Sequence, residues 1–245
     1  MGIILNNQFL SKRLSVYAGY FYPTDAVEKY LGNKYHLTFR LVGLPVYKVE
    51  ADNYKVFHVD AGFTYEYHDF EEVSYSLRPE SHLAPKYLKI NVDETKSVNE
   101  YNAGMVLVFN QLSLEGEYTF ANLLTGPNSA YEHANYSASS YYGTIAWFIT
   151  GEHKNYSKSK VAFDRLSPKK NFGANGGLGA WEIAFRYSYI NVNDRDLQGG
   201  KMNDITVGLN WYLNPITKIA LNYVRSDIDK LGIANIYQMR FQITF

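Results

Sequence analysis

The sequence predicts an all-β chain folded as an antiparallel transmembrane β-barrel, and three observations predict it. Several segments alternate apolar and polar residues over about ten positions or more, the length a tilted membrane strand needs, whereas soluble strands more often run about five or six. Aromatic residues crowd the ends of these segments, among them Tyr20, Tyr22, Tyr65, Tyr67, Tyr141, Tyr142, Trp211 and Tyr212, as the girdles of membrane barrels do. Finally, tight turn signals at Asn110-Gln111 and Asn214-Pro215 alternate with longer loops at Pro79–Val98, Leu124–Ala134 and Asn193–Lys201.

Alternation gives about twelve strand candidates. Gly2–Phe9 is weak. Lys12–Tyr22 carries Leu14, Val16, Ala18 and Tyr20 on one face. Tyr35–Leu44 turns Leu37, Phe39 and Leu41 out and His36, Thr38 and Arg40 in. Lys55–His68 turns Phe57, Val59, Ala61, Phe63, Tyr65 and Tyr67 out and His58, Asp60, Thr64 and Glu66 in. Glu72–Arg78 places Val73, Tyr75 and Leu77 outward and Arg78 inward. Asn99–Asn110 and Leu112–Leu123 flank a tight turn, and Asn135–Thr150, Leu178–Val192, Met202–Leu213 and Thr217–Ile228 follow. The last strand, Asn235–Phe245, alternates Tyr237, Met239, Phe241, Ile243 and Phe245 with Gln238, Arg240, Gln242 and Thr244. Inward positions are polar or small over long stretches: Glu115, Glu117 and Thr119; Glu182 and Arg186; Thr206, Gly208 and Asn210; Arg240. A soluble sandwich shows the same period, with its apolar face buried instead of lipid-facing; strand length, girdles and loop parity favour the barrel.

Composition excludes other classes. The chain has 245 residues, 46% apolar and 16% aromatic, with 23 Tyr and 14 Phe, yet mean hydropathy is −0.30. No stretch approaches the run of about 18 apolar residues that a membrane helix needs. Cysteine is absent, which removes disulfides and thiolate chemistry. Lys plus Arg and Asp plus Glu number 24 each, so overall charge points to no nucleic acid. Met1–Leu5 has no basic n-region; since a barrel must be exported, a mature or truncated form is expected. No nucleophile motif occurs, so an enzyme is not expected. The six histidines show no H-x-x-x-H spacing, and Asn191–Asp196 lacks the glycine and closing glutamate of a calcium loop. No metal or other cofactor is expected.

One segment breaks the loop parity. Gly151–Gly177 is long but falls at the tight-turn end, the periplasmic end if Phe245 ends there. It carries Lys154, Lys158, Lys160, Arg165, Lys169 and Lys170 against Glu152 and Asp164. Two readings stand open: it hangs free, or it folds back into the lumen and sets its charge.

Four blocks then carry a resemblance: Arg78-Pro79-Glu80-Ser81-His82-Leu83-Ala84-Pro85, Trp147–Glu152, Gly179–Ser188 and Gly208–Pro215. Together they resemble the phosphate-selective porins, the porin O and P family of Gram-negative outer membranes. The resemblance implies a single barrel domain over residues 1–245 that supplies the C-terminal part of a trimeric barrel of about 16 strands, within the porin range. It implies an outer-membrane porin, in contact with lipid, passing phosphate, polyphosphate or other small anions by passive diffusion along lumen arginines. Arg78 matches a family pore arginine. Arg40, Arg186 and Arg240 point inward by alternation alone, and Lys158, Lys160, Arg165, Lys169 and Lys170 join them if the basic segment folds in. Guanidinium suits phosphate because its planar fork donates two bonds and keeps its charge. The plainer reading pairs each arginine with a carboxylate, Arg186 with Glu182 first. The inward acids favour an alternative, a general, weakly selective porin; a non-transporting structural or binding barrel is the other.

Overall fold

A computed structural model describes residues 1–22, 34–50 and 53–244; Phe245, the expected end of the last strand, lies outside them. Eleven strands form one antiparallel sheet in chain order. They are β1 (Gly2–Phe9), β2 (Leu14–Phe21), β3 (Tyr35–Glu50), β4 (Asn53–Leu77), β5 (Leu88–Phe109), β6 (Leu112–Thr125), β7 (Asn135–Phe148), β10 (Ala180–Asp194), β11 (Leu197–Tyr212), β12 (Thr217–Ile228) and β13 (Gly232–Ile243). Between β7 and β10, β8 (Tyr156–Ser157) and β9 (Ala162–Phe163) make a separate small hairpin. Among the described residues β1 and β13 each have one neighbour and form the two edges of the sheet.

Register carries the alternation across the sheet. One row reads Val46, Phe57, Leu107, Leu114, Ile145, Phe185, Val207, Tyr223 and Tyr237 from β3 to β13. Its side chains lie on a face where Ile145, Phe185 and Val207 are each more than two-fifths exposed. So large a continuous apolar band on an exposed face fits contact with lipid. The opposite, inner face carries His58, Val106, Glu115, Thr144, Arg186, Thr206, Val224 and Ile236 in one row.

Three expectations are corrected. The expected strands Lys55–His68 and Glu72–Arg78 merge into one, β4, which ends at Leu77, and β5 begins at Leu88 within the expected outer loop. The join is a bulge: Asp69 and Phe70 take φ of 54° and 62°, and the register to β5 slips between Tyr67 and Glu71 and again before Val73. A bulge adds residues to one strand and breaks the period of two, so Val73, Tyr75 and Leu77 do not face outward. Val73 is buried, and Tyr75 and Leu77 pack on a core of Leu88, Ile90, Val92, Leu123, Tyr136 and Val192 over the inner face. Gly199 permits that approach, because a Cβ there would lie 2.6 Å from Ile90 Cγ1 and 2.7 Å from the Val192 carbonyl. Lastly, the expected loop Asn193–Lys201 is a two-residue turn, with Arg195 at φ 55°.

That turn is a clasp. Ser137 donates N–H and hydroxyl bonds to Asp194 at 2.7 and 2.8 Å. Asp196 accepts from the Tyr136 hydroxyl at 2.7 Å and the Glu132 N–H at 3.0 Å, and these bonds hold its carboxyl below the usual carboxylate range. A depressed carboxyl contributes stability that is complete above its unfolded pKa of about 4 and is lost as pH falls through the lower folded value. The 126–134 loop is therefore expected to resist pepsin above about pH 4 and to become cleavable below it, with the transition removed in Asp196→Asn. Cleavage that does not change with pH in the unaltered protein would refute the clasp.

Candidate functional site on the inner face

Two segments fold onto the inner face from opposite ends of the strands. The first is the tip of the β4–β5 hairpin, residues 78–87. Glu80 accepts a bond of 2.9 Å from Arg186 Nε on β10. The Glu80 N–H donates to Asp204 of β11 at 2.7 Å, and its carbonyl accepts from Gln238 of β13 at 3.2 Å. His82 Nε2 meets Arg240 Nη2 of β13 at 2.6 Å. A tip rooted on β4 and β5 thus touches a strand six places along the sheet, so the sheet curls around it.

The second segment is the basic stretch between β7 and β10. Its β8–β9 hairpin packs on β3, β4 and β5. Buried Tyr156 donates its N–H to the Tyr54 hydroxyl at 2.6 Å and shares a 2.7 Å bond with His58 Nδ1. His58 Nε2 donates to Asp60 at 3.2 Å, so its other nitrogen is left to accept from Tyr156. His153 stacks on Tyr54 with centroids 3.8 Å apart, and Gln8 of β1 donates to the Lys158 carbonyl at 3.0 Å. The segment therefore lies packed on the inner face and does not hang free of it. Glu152 holds its far end, accepting from the Lys169 N–H at 3.0 Å and from the Thr150 hydroxyl.

Cavities separate these segments from the wall. One of about 510 Å³ lies between the basic segment and the end of β12, bordered by Lys154, Arg165 and Lys218. Another, of about 630 Å³, lies between the hairpin tip and β11–β13, bordered by His82, Arg240 and again Lys218. Buried Glu182 sits beneath, accepting from Asn210 at 3.0 Å and Tyr212 at 2.9 Å, with Lys154 Nζ at 4.0 Å. The cations Lys154, Arg165, Lys218 and Arg240 border the two cavities together with the carboxylates of Asp164 and Glu80.

The sequence profile of one family, phosphate-selective porin O and P, matches residues 45–245. The chain belongs to that family. It is similar to Porin O of Pseudomonas aeruginosa, at 32% identity over 128 residues, 49% of this chain and 27% of that protein. It is also similar to an uncharacterized protein of Caulobacter vibrioides, at 34% identity over 82 residues, 34% of this chain and 16% of that protein. The matched stretches thus span well under half the length of both relatives. Membership places this porin-family chain in the outer membrane.

The arginines and lysines chosen from the sequence sit in this porin-family chain as follows. Arg186 is on the inner face, but its partner is Glu80 of the hairpin tip rather than Glu182; its guanidinium also lies 3.6 Å over the Tyr142 ring. Arg40 is on the inner face and donates through Nε and Nη2 to Asp60 at 3.2 and 3.1 Å, so the plainer pairing holds there. Arg240 meets His82. Arg78 is not on a strand, since β4 ends at Leu77; it is exposed at the tip and donates to the His82 carbonyl. In the basic segment Lys158 lies 4.9 Å over the Tyr47 ring, and Lys160 pairs with Asp164 at 2.9 Å. Arg165, Lys169 and Lys170 are exposed.

Lys218 and Lys154 were missed as site residues. Lys218 was readable: it shares parity with Ala220, which pairs with Arg240. Histidine spacing along the chain also left one grouping of side chains unseen. His36 on β3 stands opposite Glu66 on β4, with His68 two residues further on, and the three bring ligand atoms together. A search for local spacing cannot find groups thirty residues apart that meet only through a strand pair.

Proposed function

We propose that this chain forms the wall and the inward-folded elements of an outer-membrane channel that passes small anions, phosphate among them, by passive diffusion. The observation that carries the reading is the basic segment held on the polar face of the sheet, beside the Lys154–Lys218 cavity. An apolar outer band and a polar inner face are the division a water-filled barrel needs. Unpaired backbone at a sheet edge is costly in lipid, which favours closure of the sheet into one barrel domain on the family's plan of about 16 strands, assembled as a trimer. Arg186, Arg240 and Arg78 at the tip, with Lys158, Lys160, Arg165, Lys169 and Lys170 in the basic segment, are the anion-guiding groups. Arg40, Arg186 and Lys160 contribute less than the others because Asp60, Glu80 and Asp164 partly neutralise them. No step of the reading needs a cofactor or an enzymatic reaction.

The inner-face acids favour a second reading, a general and weakly selective pore: Glu115 and Glu117 both accept from the Tyr142 hydroxyl, at 2.9 and 3.0 Å, beside Arg186. Reversal potential across a planar bilayer under a KCl gradient separates the two. The anion reading expects chloride-selective reversal and a chloride current reduced by added phosphate. Cation-selective reversal, or a current indifferent to phosphate, would leave only the general pore.

A further inference from the structure

We propose that His36, Glu66 and His68 form a binding site for a divalent transition-metal ion of the zinc or nickel class, at the loop end of the inner face. The ladder sets His36 directly opposite Glu66, and Glu66 and His68 alternate on one face of β4. The carboxylate already spans the two rings: Oε1 is 3.9 Å from His36 Nδ1, and Oε2 is 3.1 Å from His68 Nε2. The ligand atoms lie within 4.8 Å of one another. Ligands of a tetrahedral ion bonded at about 2.0–2.1 Å stand roughly 3.4 Å apart, so side-chain rotation on a fixed backbone closes the set. The His68 and Glu66 side chains are 15% and 22% exposed and that of His36 27%, which leaves one side of the ion open to water.

The surroundings favour a cation. Among the described residues the ion-pair partners of Glu66 are the two histidines; the nearby Lys34 pairs instead with Glu71. Glu100, opposite Thr64 on β5, puts a second carboxylate on the same face. Two imidazoles and one carboxylate are a donor set for zinc, nickel or copper and a poor one for calcium or magnesium, which require several oxygens. A bound divalent ion would turn one carboxylate and two neutral rings into a centre of net charge +1, so the site would add to the positive lining of the inner face instead of opposing it.

Equilibrium dialysis of the refolded protein in detergent against Zn²⁺ at neutral pH tests the site. One ion per chain is expected, displaced by Ni²⁺ and not by equal Ca²⁺ or Mg²⁺. Affinity should fall at least about ten-fold in His36→Asn, His68→Asn and Glu66→Gln, because even outer-shell partners of metal ligands contribute that much. It should hold in His133→Asn and His153→Asn. No zinc binding by the unaltered protein, or undiminished binding in the folded His68→Asn or Glu66→Gln protein, would overturn the proposal. Neither outcome depends on whether the chain conducts.

Discussion

Replacing residues 158–170 with a short glycine–serine link is expected to raise conductance and weaken anion preference together. The stretch removes five cations, Lys158, Lys160, Arg165, Lys169 and Lys170, and one carboxylate, Asp164, a net loss of four positive charges from the inner face. At about 10 Å in water a unit charge contributes roughly 0.4 kcal/mol to a passing ion, and screening over a Debye length of about 10 Å at 0.1 M salt halves or thirds it. Four such charges change the local anion-to-cation ratio several-fold. A second variant, with the five cations replaced by Gln at full length, isolates charge from bulk: selectivity should fall while conductance stays near its starting value. The Tyr156 anchor is retained in both, and the bond from the Lys169 N–H to Glu152 is retained in the full-length variant. Reversal potentials unchanged in both variants would remove the basic segment from the permeation pathway.

Substitutions at Glu80 and Arg186 are expected to move selectivity in opposite directions. Arg186→Ala removes the cation that binds Glu80 and covers Tyr142. It leaves Glu80, Glu115 and Glu117 without that neighbour, and cation permeability should rise. Glu80→Gln leaves Arg186 without its carboxylate, and anion preference should rise. A partly exposed ion pair contributes up to about 1 kcal/mol, and a guanidinium over an aromatic ring about 0.5–1 kcal/mol. Loss of either partner should thus loosen the tip without unfolding the sheet, because the Glu80 backbone remains bonded to Asp204 and Gln238. Open-channel noise should rise in both variants. Selectivity shifts of the same sign would show that the pair does not set the charge of the passage.

The faces of the sheet were legible wherever strands are regular. Period-two alternation needs no tertiary information, so Arg40, Glu115, Glu182, Arg186 and Arg240 could all be assigned to the inner face from sequence. The reading failed where the period slips. At the paired positive φ angles of Asp69 and Phe70, aspartate is a type that tolerates that region but phenylalanine is not, so the sequence does not mark the bulge, and parity counted across it turned Val73, Tyr75 and Leu77 the wrong way. Pairing between distant segments was also illegible. Arg186 has Glu182 four residues away on its own face, yet it meets Glu80 across 106 residues of chain, because the hairpin bends over the sheet. The family blocks pointed to the residues around the tip, though not to what they touch.

The wiring of the sheet sets an order of events in folding. Among the described residues each strand of the wall pairs with the next strand in the chain, apart from the step from β7 to β10, so each added hairpin closes a short loop. The docking contacts are of another kind: Glu80 to Gln238 spans 158 residues and Gln8 to Lys158 spans 150. Contacts that distant in sequence repay their loop-closure entropy only after the intervening chain is in place. The wall therefore assembles by local zipping, and the hairpin tip and basic segment seat themselves last. Refolding followed by hydrogen exchange is expected to protect the wall strands before the hairpin tip and the basic segment.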